Sequence, residues 1–427
     1  MLGAIIGDMV GSVYEFANTK RSDFPLFEGG SSYTDDSVMS MAVAQWLLTD
    51  PLHTEEELSS IMRGFSKEYP CPKGGYGSMF LGWLLDPEAK AYGSWGNGAA
   101  MRVSAVGWMF DTLEETERIA EISASVSHNH SEGIKGAQAT AAAIFLARTG
   151  STKEEIKTYI SNRFGYDLDR TYESVHATYH WESSCQGTVP EAIIAFLASH
   201  DYESSIRMAV ALGGDSDTLA CINGGIAEAF YKDIPMNIRQ TAIDRLPLEF
   251  INILRDMQNR CPMLRYYDLQ SFTPDYLSRL RDNEIFVFGS NLHGFHSGGA
   301  AKTALDKFGA VWGQGTGLQG QSYAIPTMQG GVETIKPYID EFIAFTEKHQ
   351  DLHFFVTRIG CGIAGFSDTD IAPLFSEALN KRNISLPKSF YNVLSGTKES
   401  HPVHSVDARS QKVERFRTIL DRMFGKK

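Results

Sequence analysis

The sequence predicts two domains of different class, an all-α domain over residues 1–255 and an α/β domain over 283–395. Three observations lead there. Apolar residues recur at helical spacing through the first half of the chain. Short runs rich in aromatic and β-branched residues, bounded by Gly or Pro, begin only near residue 283. Helical patterns then alternate with those runs, which implies a partly parallel sheet. A chain of 427 residues is long enough for both cores.

In order along the first domain, DDSVMSMAVAQWLL, TEEELSSIMRGFSKEY, TLEETERIAEISASVS, SEGIKGAQATAAAIFLAR and PEAIIAFLAS each place apolar residues on one helical face. Thr54 ahead of Glu55–Glu57 and Ser131 ahead of Glu132 read as helix starts. Small residues crowd GAQATAAAIFLA and LACINGGIAEAF, so these helices can approach closely in a compact bundle. The stretch 256–282 reads as a linker. In the second domain EIFVFGSNL, QSYAIPT and HFFVTRIG read as strands, and GGAAKTALDKFG, ETIKPYIDEFIAFTEKH and DTDIAPLFSEALNK as helices. The tail, 396–427, is polar and then amphipathic: VERFRTILDRMF gathers Val413, Phe416, Ile419, Leu420, Met423 and Phe424 on one face, read as a docked helix.

Composition excludes several classes. Hydrophobic residues at 43% and charged residues at 21% are an ordinary globular balance. A net charge of -13 removes the general electrostatic case for binding nucleic acid or anionic membrane, so phosphate ligands would need local backbone donors or metal ions. The five cysteines are scattered without a CxxC pair, so a reducing, cytoplasmic setting is expected. The N-terminus lacks a basic n-region, which argues against a signal peptide, and no apolar stretch reaches spanning length.

Two oxygen-rich clusters carry the chemistry. Thr34, Asp35 and Asp36 stand just before an apolar helix, and Asp215, Asp217 and Thr218 stand before another, nearly 180 residues later. Four carboxylates brought together would repel one another, and a hard divalent cation such as Mg²⁺ would relieve that. Two independent helix caps are the other reading, each worth about 1 kcal/mol. Composition alone leaves both open.

Five ordered stretches add to this: GDMVGSVYEF (7–16), YTDDSVM (33–39), SWGNGAAMRV (94–103), SHNHSEGIKGA (127–137) and GGDSDTLACINGGIAEAFY (213–231). Together they resemble the ADP-ribosyl-acceptor hydrolases, the family of the dinitrogenase-reductase-activating glycohydrolase, over roughly residues 1–235. The resemblance implies an all-α ADP-ribosylglycohydrolase-like fold around two Mg²⁺ (or Mn²⁺) ions. Their ligands by matching position are Thr34, Asp35, Asp36, Asp215, Asp217 and Thr218. It further implies catalytic roles for Glu15, Asp36 and Asp217, and contacts to ADP-ribose from Ser94, Gly96, Asn97, Gly98 and His128. The implied reaction is hydrolysis of an ADP-ribosylated protein or small molecule, with no membrane partner and nucleic acid a disfavoured acceptor. A non-catalytic ADP-ribose reader on the same scaffold is the alternative. Arg102 reads as a buried salt-bridge partner and Cys185 as structural.

In the second domain two Gly-rich loops follow strands and open helices, an arrangement that favours phosphate. The stretch 283–394 resembles macrodomains, the ADP-ribose-binding modules. The matching positions are Asn291, Gly298 and Gly299 in the first loop, and Gly360, Gly362, Ile363, Ala364, Gly365 and Phe366 in the second.

Overall fold

The computed structural model describes residues 1–264, 272–274, 277, 279–280, 282–379, 381 and 383–396. The chain forms two compact units, Met1–Gln270 and Ser271–Lys427.

The first unit is helical. The helix Leu2–Gly11 is buried along its whole length and lies against the helix Ser216–Tyr231. Gly3, Gly7 and Gly11, four residues apart on one face, make that approach possible. A Cβ at Gly7 would lie 1.9 Å from the Ala220 carbonyl oxygen, and one at Gly11 2.4 Å from that of Ser216. The two backbones therefore touch where side chains would otherwise hold them apart. The alanine-rich helix Ser131–Arg148 packs on Ser216–Tyr231 as well as on Leu113–Ser125.

The expected starts are present in part. Thr54 accepts from the N–H of Glu57 at 3.3 Å, and Thr112, not singled out, does the same for Glu115 at 3.3 Å. Ser131 does not cap; it is already helical, and the ring of His130 accepts from Glu132 N–H at 3.1 Å. The segment read as a linker also needs correction. The helix Leu248–Arg260 runs into it and buries Phe250, Ile251, Ile253, Leu254 and Met257 in the first core. The burial of that face keeps 256–260 helical and part of the first unit.

The second unit is a mixed sheet of β1 (Phe272–Thr273), β2 (Glu284–Ser290), β3 (Gly317–Gln319), β4 (Ser322–Pro326), β5 (His353–Val356) and β6 (Ile384–Pro387). The strand order is β1-β6-β5-β2-β4-β3, with all pairs parallel except β3 with β4. Phe286 pairs with Ser322 on β4 and with Phe355 on β5. Alternate residues of β2 enter two cores, Ile285 and Val287 on one face, Phe286 and Phe288 on the other. Burial on both faces explains why these strands read as apolar runs instead of alternating.

Strands β1, β3 and β6 were not expected; each is two to four residues long, too short for a periodic signal. DTDIAPLFSEALNK, read as one helix, is a short helix, Asp368–Ile371, continued as a 3₁₀ helix, Ala372–Ala378, because Pro373 removes an amide donor, and the helix Lys388–Ser395 that follows β6 was not expected. The amphipathic run 413–424 lies outside the described residues. No helix among the described residues is long and apolar enough to cross a membrane.

Candidate functional site

Thr34 caps the helix Asp35–Thr49, its hydroxyl oxygen accepting from Asp36 N–H at 3.2 Å. The turn is held from below by Asp8. One oxygen of its carboxylate accepts from Thr34 N–H at 3.0 Å, from Ser37 N–H at 3.1 Å and from the Ser37 hydroxyl. Asp8 was not singled out from the sequence. The signal was available: it is the one acid in LGAIIGDMVG, a helix with no exposed face on which to place it.

The second cluster is delivered by Gly213 and Gly214, with φ of 74° and 71°. Asp215 stands at the cap position of Ser216–Tyr231 but makes no capping bond; its carboxylate accepts from Asn97 Nδ2 at 2.7 Å. For Asp215 the helix-cap reading therefore fails. The Thr218 hydroxyl donates to Asp36 Oδ2 at 3.4 Å, so the two clusters meet directly. Glu15, Asp215 and Asp217 each offer a carboxylate oxygen within 4.8 Å of the others. Asn18, also missed, ties Glu15 to this corner: its amide donates to the carbonyls of Glu15 (2.8 Å) and Gly214 (2.9 Å) and accepts from Gly214 N–H.

Burial pushes these acids up. Asp35, Asp36 and Asp217 are raised well above the usual carboxylate range, by desolvation first and then by neighbouring carboxylates. Asp215 is raised by burial. Asp8 is raised to about 6 by burial, and Glu15 to about 7 by burial and the charges of Asp215 and Asp8. Lys73, whose charge reaches Asp217 and Glu15, gives its ammonium to the Gly30 carbonyl at 2.7 Å. Asp36 Oδ1 is buried with no hydrogen-bond partner. An all-oxygen set with an unspent carboxylate oxygen suits a hard divalent cation.

A pH signature follows. Acids with raised folded-state pKa values hold protons more tightly when folded, so their stabilising contribution exists below about pH 4. It is lost as pH rises through about 6 for Asp8 and about 7 for Glu15. A cation competes with those protons. The difference in Tm between Mg²⁺ and chelator should therefore widen from about pH 5.5 to about pH 7.5. A gap that stays flat or narrows in thermal melts counts against the cluster as a cation site.

These acids floor a cavity of about 370 Å³. Ser94, Gly96, Asn97, Gly98 and His128 line it together with Glu15, Asp35, Asp36, Asp215, Asp217 and Thr218. Thr34 is not among the lining residues; it is fully buried, its hydroxyl 3.3 Å from Asp36 Oδ2. The Gly-rich loop is anchored by Asn97 N–H donating to the Ser183 carbonyl at 2.8 Å. Cys185 is buried, its thiol pushed up to about 12, with Sγ 3.1 Å from the Gly96 carbonyl. Arg102 departs from its expected role. It is fully buried but bonds to the Ser123 carbonyl (2.7 Å) and the Ser127 hydroxyl (2.9 Å), not to a carboxylate.

The second unit carries its own cavity, about 440 Å³, where the ends of β2 and β5 stand side by side. Asn291, Gly298, Gly299, Gly360, Gly362, Ile363 and Ala364 line it. Gly365 and Phe366 do not; Phe366 N–H closes the loop onto the Gly360 carbonyl at 3.1 Å. The Asn291 side chain is folded onto its own loop, donating to the Phe295 carbonyl and accepting from His293 and Phe295 N–H.

Comparison with known proteins gives four findings. The sequence profile of the family described as ADP-ribosylglycohydrolase matches residues 1–261. The human ADP-ribosylhydrolase ARH3 is 26% identical over 307 residues, covering 54% of this chain and 84% of that protein. The ADP-ribosylarginine hydrolase Tri1 of Pseudomonas putida is 23% identical over 266 residues, covering 54% of this chain and 69% of its own length. A solved structure, an ADP-ribosylglycohydrolase-related protein complex, aligns with a TM-score of 0.48 at 22% identity, over 62% of this chain and 95% of its own.

Proposed function

The chain belongs to the ADP-ribosylglycohydrolase family, a family of hydrolases acting on ADP-ribosyl bonds, and from that premise we propose a fuller assignment. The first unit cleaves the glycosidic bond between ADP-ribose and an acceptor, a protein side chain before a small molecule, with two divalent cations. The observation that carries this is the meeting of Asp36 with Thr218 across two distant motifs, on the floor of the cavity lined by the Ser94–Gly98 loop.

Two Mg²⁺ or Mn²⁺ ions held by Thr34, Asp35, Asp36, Asp215, Asp217 and Thr218 would supply the charge that orients the ribose hydroxyls and activates a water. The residues of the chain do the rest. Asn97 N–H is spent on the Ser183 carbonyl and Gly96 N–H on Ser94 Oγ, so Gly98 N–H is the donor this loop's backbone offers to the diphosphate. Asp36 and Asp217 are placed to take a proton from the attacking water, and their charge favours the cationic sugar of the transition state. Glu15 lines the cavity beside Asp215 and Asp217 and is the group that can pass a proton to the departing acceptor.

We assign the second unit as a macrodomain-like reader of ADP-ribose or a related nucleotide, recruiting modified targets. Its support is the cavity shared by both Gly-rich loops. Five free cysteines are compatible with the cytoplasmic setting in the same reading.

Defined ADP-ribosyl-arginine and ADP-ribosyl-serine substrates test the first unit. Release of ADP-ribose with Mg²⁺, lost with chelator, is expected for at least one linkage; no metal-dependent release from either would overturn the hydrolase assignment. For the second unit, Gly362→Glu puts a carboxylate at an open position of the cavity, where a Cβ meets nothing within 4 Å. Calorimetry of the full chain with ADP-ribose should then lose one of two binding events. An unchanged isotherm would remove ADP-ribose from that cavity.

A further inference from the structure

We propose that Arg102 and Ser127 lock His128 in the tautomer with its proton on Nε2, so that the ring presents an N–H donor to the diphosphate beside the Ser94–Gly98 loop. The tautomer follows from the bonds alone; what the donor meets rests on the ADP-ribose assignment above.

The chain of bonds begins at a group that can only donate. The guanidinium of Arg102 reaches Ser127 Oγ at 2.9 Å through Nη2, so the serine oxygen accepts there. The same oxygen lies 2.8 Å from His128 Nδ1. Ser127 is 0% exposed, so its hydroxyl hydrogen has no solvent to turn to. Were Nδ1 to carry the ring proton, that hydrogen would be stranded in the interior while the oxygen accepted twice, at the full cost of an unmade buried bond. The hydroxyl therefore donates to Nδ1. A neutral ring then keeps its proton on Nε2. The ring is neutral because burial, and next the charge of Arg102, hold it well below its ordinary value.

The direction of Nε2 gives the donor its use. A Cβ at Gly98 would stand 3.0 Å from Nε2, and one at Gly96 3.5 Å from it. The ring proton thus faces the two glycines of the loop, at the wall of the cavity that all three residues line. Phe80 and Tyr92 pack on the ring, with centroids at 6.2 and 5.8 Å, and hold its plane. Arg102 and Ser127 are positioning residues, acting through the imidazole by the bonds Arg102 Nη2 to Ser127 Oγ and Ser127 Oγ to Nδ1. A hydrogen bond from a neutral ring to a charged phosphate adds to the Gly98 N–H of the loop without requiring the ring to be doubly protonated.

Nitrogen-15 NMR of the imidazoles in the full chain reads the tautomer directly, with His128→Gln to assign the signal. The expected result is a neutral Nε2–H ring, with Nε2 shifting as ADP-ribose is added. Ser127→Ala should raise the Kd of ADP-ribose about tenfold and change that of adenosine, which has no diphosphate, less than about twofold; Ser127→Thr, which keeps the hydroxyl, should restore it. A proton on Nδ1 in the unaltered protein overturns the proposal even where ADP-ribose binds. Equal losses for adenosine and ADP-ribose, or no loss for either, also overturn it. If ADP-ribose neither binds nor moves the His128 signal, the assignment of the cavity falls, and the donor's role with it.

Discussion

Asp217→Asn should lower turnover of an ADP-ribosylated substrate about a thousandfold or more while raising the stability of the metal-free protein. The two effects have one cause. Asp217 is 3% exposed and lies among Asp215, Asp36 and Glu15, whose charges add to burial in pushing its carboxyl well above the usual range. Removing one negative charge relieves that repulsion, so the melting temperature in chelator at neutral pH should rise. The added stabilisation by Mg²⁺ should shrink, because a donor to the cation is lost. Asp35→Asn should behave alike. An ordinary helix-cap residue would do the reverse, losing about 1 kcal/mol and leaving turnover nearly intact. Unchanged activity in both variants would refute the assignment of these acids.

The largest expected effect on stability lies away from the cavity. Gly7→Ala should cost about 3 kcal/mol or more, and lower the Tm by about 10 °C. The new Cβ would stand 1.9 Å from the Ala220 carbonyl oxygen, against backbone that cannot rotate aside. The helices Leu2–Gly11 and Ser216–Tyr231 would have to separate. That separation also disturbs the site, because Asp8 supports Thr34 from one helix and Asp217 begins the other. Gly64→Ala is the control. Gly64 sits inside the helix Glu55–Glu68 with nothing within 4 Å of an added Cβ, so the change should stabilise by about 0.5–1 kcal/mol. Similar Tm values for the two variants would show that the close approach is not the cause.

Much of the helical unit was legible in the sequence because its signals are local. The pattern in TEEELSSIMRGFSKEY and its capping Thr54 need only neighbours three or four residues away. The same pattern in LEFINILRDMQ shows that the boundary near residue 255 was drawn too early. In the second unit β2, β4 and β5 were legible as apolar runs, whereas β1 and β6 depend on pairing partners far along the chain and β3, paired with the adjacent β4, is only three residues long.

For the site, residue types and their motifs nominated Thr34–Asp36, Asp215–Thr218 and the Ser94–Gly98 loop. The sequence by itself determined which oxygen donors and glycines exist and where helices begin. Whether those donors meet was decided only by tertiary packing. The glycine seam brings 7–11 against 216–220, and the Thr218 hydroxyl thereby reaches Asp36. Asp8, Asn18 and the Arg102–Ser127–His128 chain escaped notice because each takes its role from a partner's direction, which composition and spacing do not encode. The raised carboxyl pKa values belong to the same class, since desolvation is a property of the assembled interior.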